Sequence, residues 1–314
     1  MRQIYSLLAI ITILISFLTV RTCFSEDPPE PWDSKGTDFW LTFIPNFHNN
    51  LNSPDNRLKF GDSLYIFIAS SVPTSGNIQY FDRNAKSYNQ PFTINDPTKV
   101  YSFSVSSYYF ELLGYNKQDR IEYDNDKNDC EKKIRLSFHV TSKDDVTVYA
   151  HSQANTTSDA FMVFPTDVLG NDYFVSCYKS HGDGYWDNMQ NKFLLTTTST
   201  PSQFAILATE NNTQIKISPT TPTYIRGKGE QIITLDIGEA YLVQAANLRD
   251  NNFTDLTGTE IHSNKPVAVF AGHQRATVPV ELIGSNPSRD ILVEQMPPLK
   301  NWGKNALITP FKQP

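Results

Sequence analysis

Residues 134–178 read IRLSFHVTSKDDVTVYAHSQANTTSDAFMVFPTDVLGNDYFVSCY, and their order of features returns in residues 258–311, GTEIHSNKPVAVFAGHQRATVPVELIGSNPSRDILVEQMPPLKNWGKNALITPF. Thr141-Ser142 ahead of Val146, Val148 and Ala150 answers to His262-Ser263 ahead of Val267, Val269 and Ala271. His151 matches Gly272-His273. Asp159 opens an apolar run ending at Pro165 with Gly170 behind it, and Asp290 opens one ending at Pro297 with Gly303 behind it. The chain carries two copies of one unit.

Working outward, residues 100–105 (VYSFSV) align without a gap on residues 232–237 (IITLDI), an offset of 132 residues. Leu64 to Ala69 resembles Phe204 to Ala208, each followed by a polar turn and a second strand. A repeat of this length is a small domain, since solenoid periods run only from about 20 to 50 residues.

Alternating apolar residues such as Leu136, Phe138 and Val140, or Val146 and Val148, are separated by Asn, Asp, Ser, Pro and Gly clusters, which predicts short strands and turns. No long stretch keeps helical spacing; residues 107–115 leave room for one short helix. The expected fold is all-β, two tandem, internally repeated β-sandwich-like lobes. Boundaries fall at a signal peptide over 1–25, a Pro-rich linker over 26–35, a first lobe over 36–180 and a second over 181–314.

Residues 1–25 combine Arg2, an apolar run from Leu7 to Val20, and the small residues Cys23 and Ser25, the pattern of a secretory signal. The run is shorter than the roughly 20 residues that span a bilayer, so no transmembrane segment is expected. Without residues 1–25, which hold Arg2 and Arg21 and no acid, 25 Lys+Arg face 33 Asp+Glu, a formal charge of −8. An acidic chain with no basic cluster is repelled by phosphate backbones, which excludes nucleic acid as a partner class. The expected location is secreted, extracellular or cell-surface.

Cys130 and Cys177 remain after processing, and in an exported chain they can form one disulfide. The alternative is a buried free thiol at Cys177 and a surface thiol at Cys130. Asp124, Asp126 and Asn128 stand at alternate positions like the start of a calcium loop, but Asp129 replaces the required glycine and Arg135 the closing glutamate. His151 and His273 fall at matching strand ends without metal-ligand spacing, and a structural role is expected. Residues 181–187 (HGDGYWD) set Asp183 and Asp187 beside Tyr185 and Trp186; such aromatic faces stack on sugar rings while carboxylates accept hydroxyl hydrogen bonds, so these four are the candidate ligand-binding residues. The same segment reads equally as a glycine-rich hinge. A glycosidase would need two opposed carboxylates, for which Asp183, Asp187, Glu210, Glu239 and Glu294 are the raw material. No nucleophile elbow, phosphate loop, dinucleotide fingerprint or zinc-protease helix occurs, so no catalytic residue, metal or cofactor is assigned. Sequons begin at Asn155, Asn211 and Asn252.

Several blocks in order carry a family resemblance: Gly36-Thr37-Asp38-Phe39-Trp40; VTSKDDVTVY at 140–149; FPTDVLGNDY at 164–173; Leu256-Thr257-Gly258-Thr259; SNKPVAVFAGH at 263–273; and Glu294-Gln295-Met296-Pro297-Pro298 with Trp302-Gly303-Lys304. Together they resemble the IgGFc-binding protein N-terminal domain family, over nearly everything from Gly36 onward. The resemblance implies an extracellular, non-enzymatic binding or adhesion module for a protein or glycan ligand of mucus, Fc-like or matrix kind, with no catalytic residues to carry over. After Gly272-His273 this chain has Gln274-Arg275 where some animal members have cysteine, so immunoglobulin binding is not carried over. The alternatives are a secreted carbohydrate-active hydrolase and a structural surface-layer protein.

Overall fold

Alternation in Ser63–Ser70 (SLYIFIAS) sends Leu64, Ile66 and Ile68 into the core and Tyr65 and Phe67 to the other side, as a strand with one open face requires. The computed structural model describes residues 34–48, 62–115, 128–187, 189, 192–246, 254–278 and 288–303, with the backbone alone for 181–187 and 192–199. The expected signal peptide, and the linker up to residue 33, lie outside the described residues. The fold is all-β. In chain order the strands are β1 (Gly36–Leu41), β2 (Ser63–Ser70), β3 (Thr74–Phe81), β4 (Ser87–Ile94), β5 (Tyr101–Ser106), β6 (Lys133–Ile134), β7 (Phe138–Ala154), β8 (Thr157–Val163) and β9 (Gly170–Phe174). They continue with β10 (His181–Asp187), β11 (Lys192–Thr200), β12 (Ser202–Ala208), β13 (Thr213–Ser218), β14 (Gln231–Leu235), β15 (Ala240–Gln244), β16 (Glu260–Ala276) and β17 (Asp290–Gln295). One helical turn, Ser107–Phe110, follows β5 and is capped by the Ser106 side chain.

The repeat is explicit in the pairing. A seven-stranded sheet runs β4-β3-β7-β2-β5, with β1 and β8 on the far edge of β7; an eight-stranded sheet runs β14-β13-β16-β12-β15-β6, with β9 and β17 on the far edge of β16. Both β7 and β16 are 17 residues long. Val140 pairs with Phe39 on one side and Ile78 on the other, and Ile261 likewise with Tyr173 and Ile217. Further along, Ala150 pairs with Ile66 and Phe161, and Phe270 with Ala205 and Gln295. Each long strand thus holds four partners. The Ser142-Lys143-Asp144-Asp145 and Ser263-Asn264-Lys265-Pro266 stretches, which read as turns, are instead the irregular middles of these strands, where pairing passes from one set of partners to the other.

Two expected correspondences are corrected by register. Phe103 of β5 pairs with Ile66, and its counterpart is Val243 of β15, which pairs with Phe204; in the segment 232–237 that aligned with it, residues 232–235 belong instead to β14, beside β13. Loops of different length between the copies forbid one constant offset. Counted from Val146 and Val267, His151 corresponds to Gly272, and Ser152 to His273. Because neighbours in a strand face opposite ways, this single step puts His151 on the outer face and His273 wholly inside.

β9, ahead of residue 181, pairs with β16 and so belongs to the eight-stranded sheet. β6, from the first half of the chain, closes the edge of the eight-stranded sheet at Ala240 and Tyr241. One core lies between the inner face of the seven-stranded sheet and Ala205, Leu207, Ala268 and Phe270 of the eight-stranded one. The opposite face of that second sheet, Phe204, Ile206, Val267 and Val269, forms another core with Tyr173, Leu256 and Met296. β12 and β15 are therefore buried on both faces, which is why SQFAILA and AYLVQ show no alternation.

β8 and β17 meet through side chains that take each other's backbone N–H groups. Asp159 Oδ2 accepts from Val293 N at 2.9 Å, while Asp290 Oδ1 accepts from Ser158 N and Thr157 Oγ1, both at 2.7 Å. Gln295 Oε1 accepts from Phe164 N at 2.8 Å. The acids that marked the repeat in sequence thus perform one reciprocal task.

Candidate functional site

The pairing reveals a duplicated motif, Gly-x-Asp-aromatic-aromatic, at the start of each copy: Gly36-Thr37-Asp38-Phe39-Trp40 in β1 and Gly170-Asn171-Asp172-Tyr173-Phe174 in β9. A Cβ on Gly36 would lie 2.5 Å from Pro165 Cβ, and one on Gly170 2.5 Å from Pro298 Cβ, so each glycine admits a proline from the end of its own copy. Each proline opens a 3-10 turn, Thr166–Val168 or Leu299–Asn301. Each aspartate is tied to a histidine of the long strand, Asp38 Oδ2 to His139 Nε2 at 2.7 Å and Asp172 Oδ1 to His262 Nδ1 at 2.6 Å. Thr166 Oγ1 also donates to Asp38, and the His139 ring stacks on Trp40 at 4.0 Å. Burial pushes the Asp38 pKa up, but the bonds from His139 and Thr166 and the His139 charge outweigh it and hold the carboxyl below its usual range.

A depression opens beside each aspartate. One, of about 360 Å³, is lined by Thr37, Asp38, Pro165, Thr166 and Asp167. The other, of about 110 Å³, is lined by Asp172, Phe174, Lys216, Glu260 and His262 among others. Their equivalent placement follows from the repeat. Chemically they offer hydrogen-bonding groups at a rim, with histidine and carboxylate spent largely on each other.

A second polar constellation is internal. His48 sits between two carboxylates, Nδ1 to Asp62 Oδ2 at 2.8 Å and Nε2 to Glu111 Oε1 at 2.9 Å, with all three side chains buried. Glu111 also accepts from Asn46 N, and Asn46 Nδ2 donates to Ser152 Oγ. Both imidazole nitrogens are occupied, so this network fixes the segment after β1 against β7. Sequence reasoning missed it because its members are far apart; the polar Asn46 and His48 following the apolar 39–44 run were its one signal.

The sequence-derived candidates fare as follows. Asp183, Tyr185, Trp186 and Asp187 lie on β10, which pairs with β11 in a separate two-stranded hairpin, Tyr185 opposite Leu194 and Trp186 opposite Phe193. Cys130 and Cys177 are not joined; both are free. Cys130 is completely buried, its Sγ 3.1 Å from Gln244 Oε1, and Cys177 Sγ donates to Gln203 O at 3.1 Å. The sequence alternative had placed Cys130 at the surface; it packs in the first core, while Cys177 packs against the second, with β12 and β15 between them. Burial pushes the Cys177 thiol up to about 12 and raises that of Cys130 further. Asp124 and Asp126 lie outside the described residues, and Asn128 Oδ1 is committed to Cys130 N. Glu239 accepts from Asp236 N in the β14–β15 turn and Glu210 pairs with Lys265, whereas Glu294 stands beside Asp159. Among the described residues no group of three or more His, Cys, Asp or Glu side chains is arranged to hold a metal. Nor is any helix there long and apolar enough to cross a membrane.

The model of the IgGFc binding protein family matches residues 159–314, which take in β9, β16, β17 and the second copy's Gly-x-Asp motif. Over this region the chain is similar to the IgGFc-binding protein family. No curated protein and no solved structure matches the chain. That similarity agrees with the all-β fold and is to a class of binding domains, without naming the ligand here.

Proposed function

We propose that this chain is a secreted or cell-surface, non-enzymatic module that recognises an extracellular protein or glycan. The observation that carries this reading is the match of residues 159–314 to a family described by binding. The use of titratable side chains supports it: Asp38, Asp172, Asp290, Glu111 and Glu131 all hold structural partners. Even Asp159, whose carboxyl and that of Glu294 are each raised by burial first, has its oxygens on Val293 N and Ala160 N rather than facing a scissile bond.

The test is binding of residues 26–314 to an array of mucins, isolated glycans and immunoglobulin Fc, with and without chelator. Saturable, chelator-insensitive binding to one class is expected. Failure to bind any class, with self-assembly in light scattering, would replace the reading with a surface-layer role. Release of reducing ends from polysaccharide, abolished by one carboxylate substitution, would replace it with a hydrolase.

A further inference from the structure

The two copies present the same lattice of positions on the same side of each sheet, and only one of them covers it. In the seven-stranded sheet two rows of cross-strand partners run Ser104–Tyr65–His151–Ala160 and Ser102–Phe67–Tyr149–Met162. The corresponding rows of the eight-stranded sheet are Gln244–Gln203–Gly272–Val293 and Leu242–Ala205–Phe270–Gln295, and every one of these residues is buried. Leu242, Ala205 and Phe270 are part of the core shared with the first copy. In the first copy the same side is open: Tyr149 is 44% exposed, Ser102 and Ser104 are exposed, and Tyr65, Phe67 and His151 are half-buried.

We propose that this open face, centred on Tyr65, Phe67, Tyr149 and His151, binds a neutral saccharide chain, an inference that rests on the binding-module reading above. Three features favour that occupant. The rings are oriented alike: Tyr65 and Phe67 lie 5.9 Å apart with planes 1° from parallel, and His151 lies 5.8 Å from Tyr65 and 6.5 Å from Phe67 with tilts of 27° and 26°. Such a set offers the aromatic surface on which the C–H faces of sugar rings pack. Hydroxyl groups flank it, with Ser102 and Ser104 in the same rows. These donors and acceptors suit the alternating hydroxyls of a saccharide. The rows carry no Lys, Arg, Asp or Glu, and burial lowers the His151 pKa against the opposing pull of Asp159, so the imidazole is neutral at pH 7. A charged polymer finds no counter-charge there, and an apolar protein surface would meet hydroxyls at every row.

The experiment probes residues 26–314, wild type and with Phe67→Ala, Tyr149→Ala or the control Ile232→Ala, against neutral, sialylated and sulfated oligosaccharides, deglycosylated mucin protein and Fc. Urea unfolding of each variant verifies that it is folded. Ile232 is 69% exposed on the eight-stranded sheet and lies off the proposed face. The expected result is binding of a neutral oligosaccharide, weakened about tenfold by each ring substitution and unchanged by Ile232→Ala. Neutral-glycan binding that survives both ring substitutions overturns the assignment of the face and leaves the binding-module reading standing. Loss of Fc or deglycosylated-protein binding in the ring variants, with no saccharide bound by wild type, overturns the saccharide as occupant. Binding of nothing by folded wild type removes the underlying reading itself.

Discussion

Tyr149 and Phe270 hold the same position in β7 and β16, yet one meets solvent and the other a second sheet. Position in a pairing lattice therefore decides neither burial nor use; that depends on which copy is packed against which. The first copy's inner face is roofed by the second copy, whereas the second copy's inner face closes over Tyr173, Leu256 and Met296. An asymmetric stack of two like units leaves one outer face free, and residues there can serve recognition without a cost in core packing.

The sharpest way to break this comparison is to truncate both rings. Phe270→Ala should lower unfolding free energy by about 3–5 kcal/mol, because a fully buried ring packed 5.5 Å from Phe161 leaves a cavity. Tyr149→Ala should change it by less than about 1 kcal/mol, read as urea midpoints. Equal losses would mean that the outer face is covered in solution.

Next in size is the tie between the copies at Glu131. This residue holds a positive φ of 52° and reaches its buried carboxylate across to Ile225 N at 3.0 Å and Arg226 N at 3.1 Å. Glu131→Ala strands those N–H groups and should cost about 2–3 kcal/mol. A loss that also changes the m-value would show the copies unfolding separately.

Gly272→Ala sharpens the contrast at the position His151 fills in the first copy. A Cβ there would fall 1.8 Å from Leu292 O, so about 1–3 kcal/mol should be lost, while His151→Ala should be close to neutral.

The smallest effect belongs to the junction of β8 and β17. The Glu294 pKa is raised by burial and by Asp159, so the ionised pair weakens the fold at neutral pH. Glu294→Gln should therefore stabilise by a few tenths of a kcal/mol at pH 7, after allowance for solvent screening. A raised folded pKa means that wild type recovers this stability as pH falls through that pKa, so the advantage of the variant should vanish in acid.

The seven-stranded sheet was legible because one face is wet. Leu64, Ile66 and Ile68 alternate with Tyr65 and Phe67, and the pattern is the strand. β12 and β15 bury both faces, so SQFAILA and AYLVQ carry no period; β12 was legible only through its likeness to β2, and β15 was displaced in the alignment by residues 232–237. Polar residues at the middles of β7 and β16 imitate turns because they lie where both long strands change partners. The reciprocal role of Asp159 and Asp290 was marked in sequence only as a recurrence. The Asp38–His139 and Asp172–His262 pairs were hidden for another reason: the histidines come from different pairing positions, one diagonal to its aspartate and one directly opposite. The aromatic face was invisible because Tyr65 and Tyr149 are 84 positions apart and come together only through β2–β7 pairing.

The side-chain staple at β8 and β17 has a consequence for biosynthesis. Val293 and Asp290, which complete the edge of β8, are near the last of the described residues to leave the ribosome, and so is Ile291, which seals the shared core. Until the second copy emerges, a nascent first copy displays the apolar inner side of its sheet with no roof. Translation arrested between the copies thus yields a client for chaperones rather than a finished half-protein.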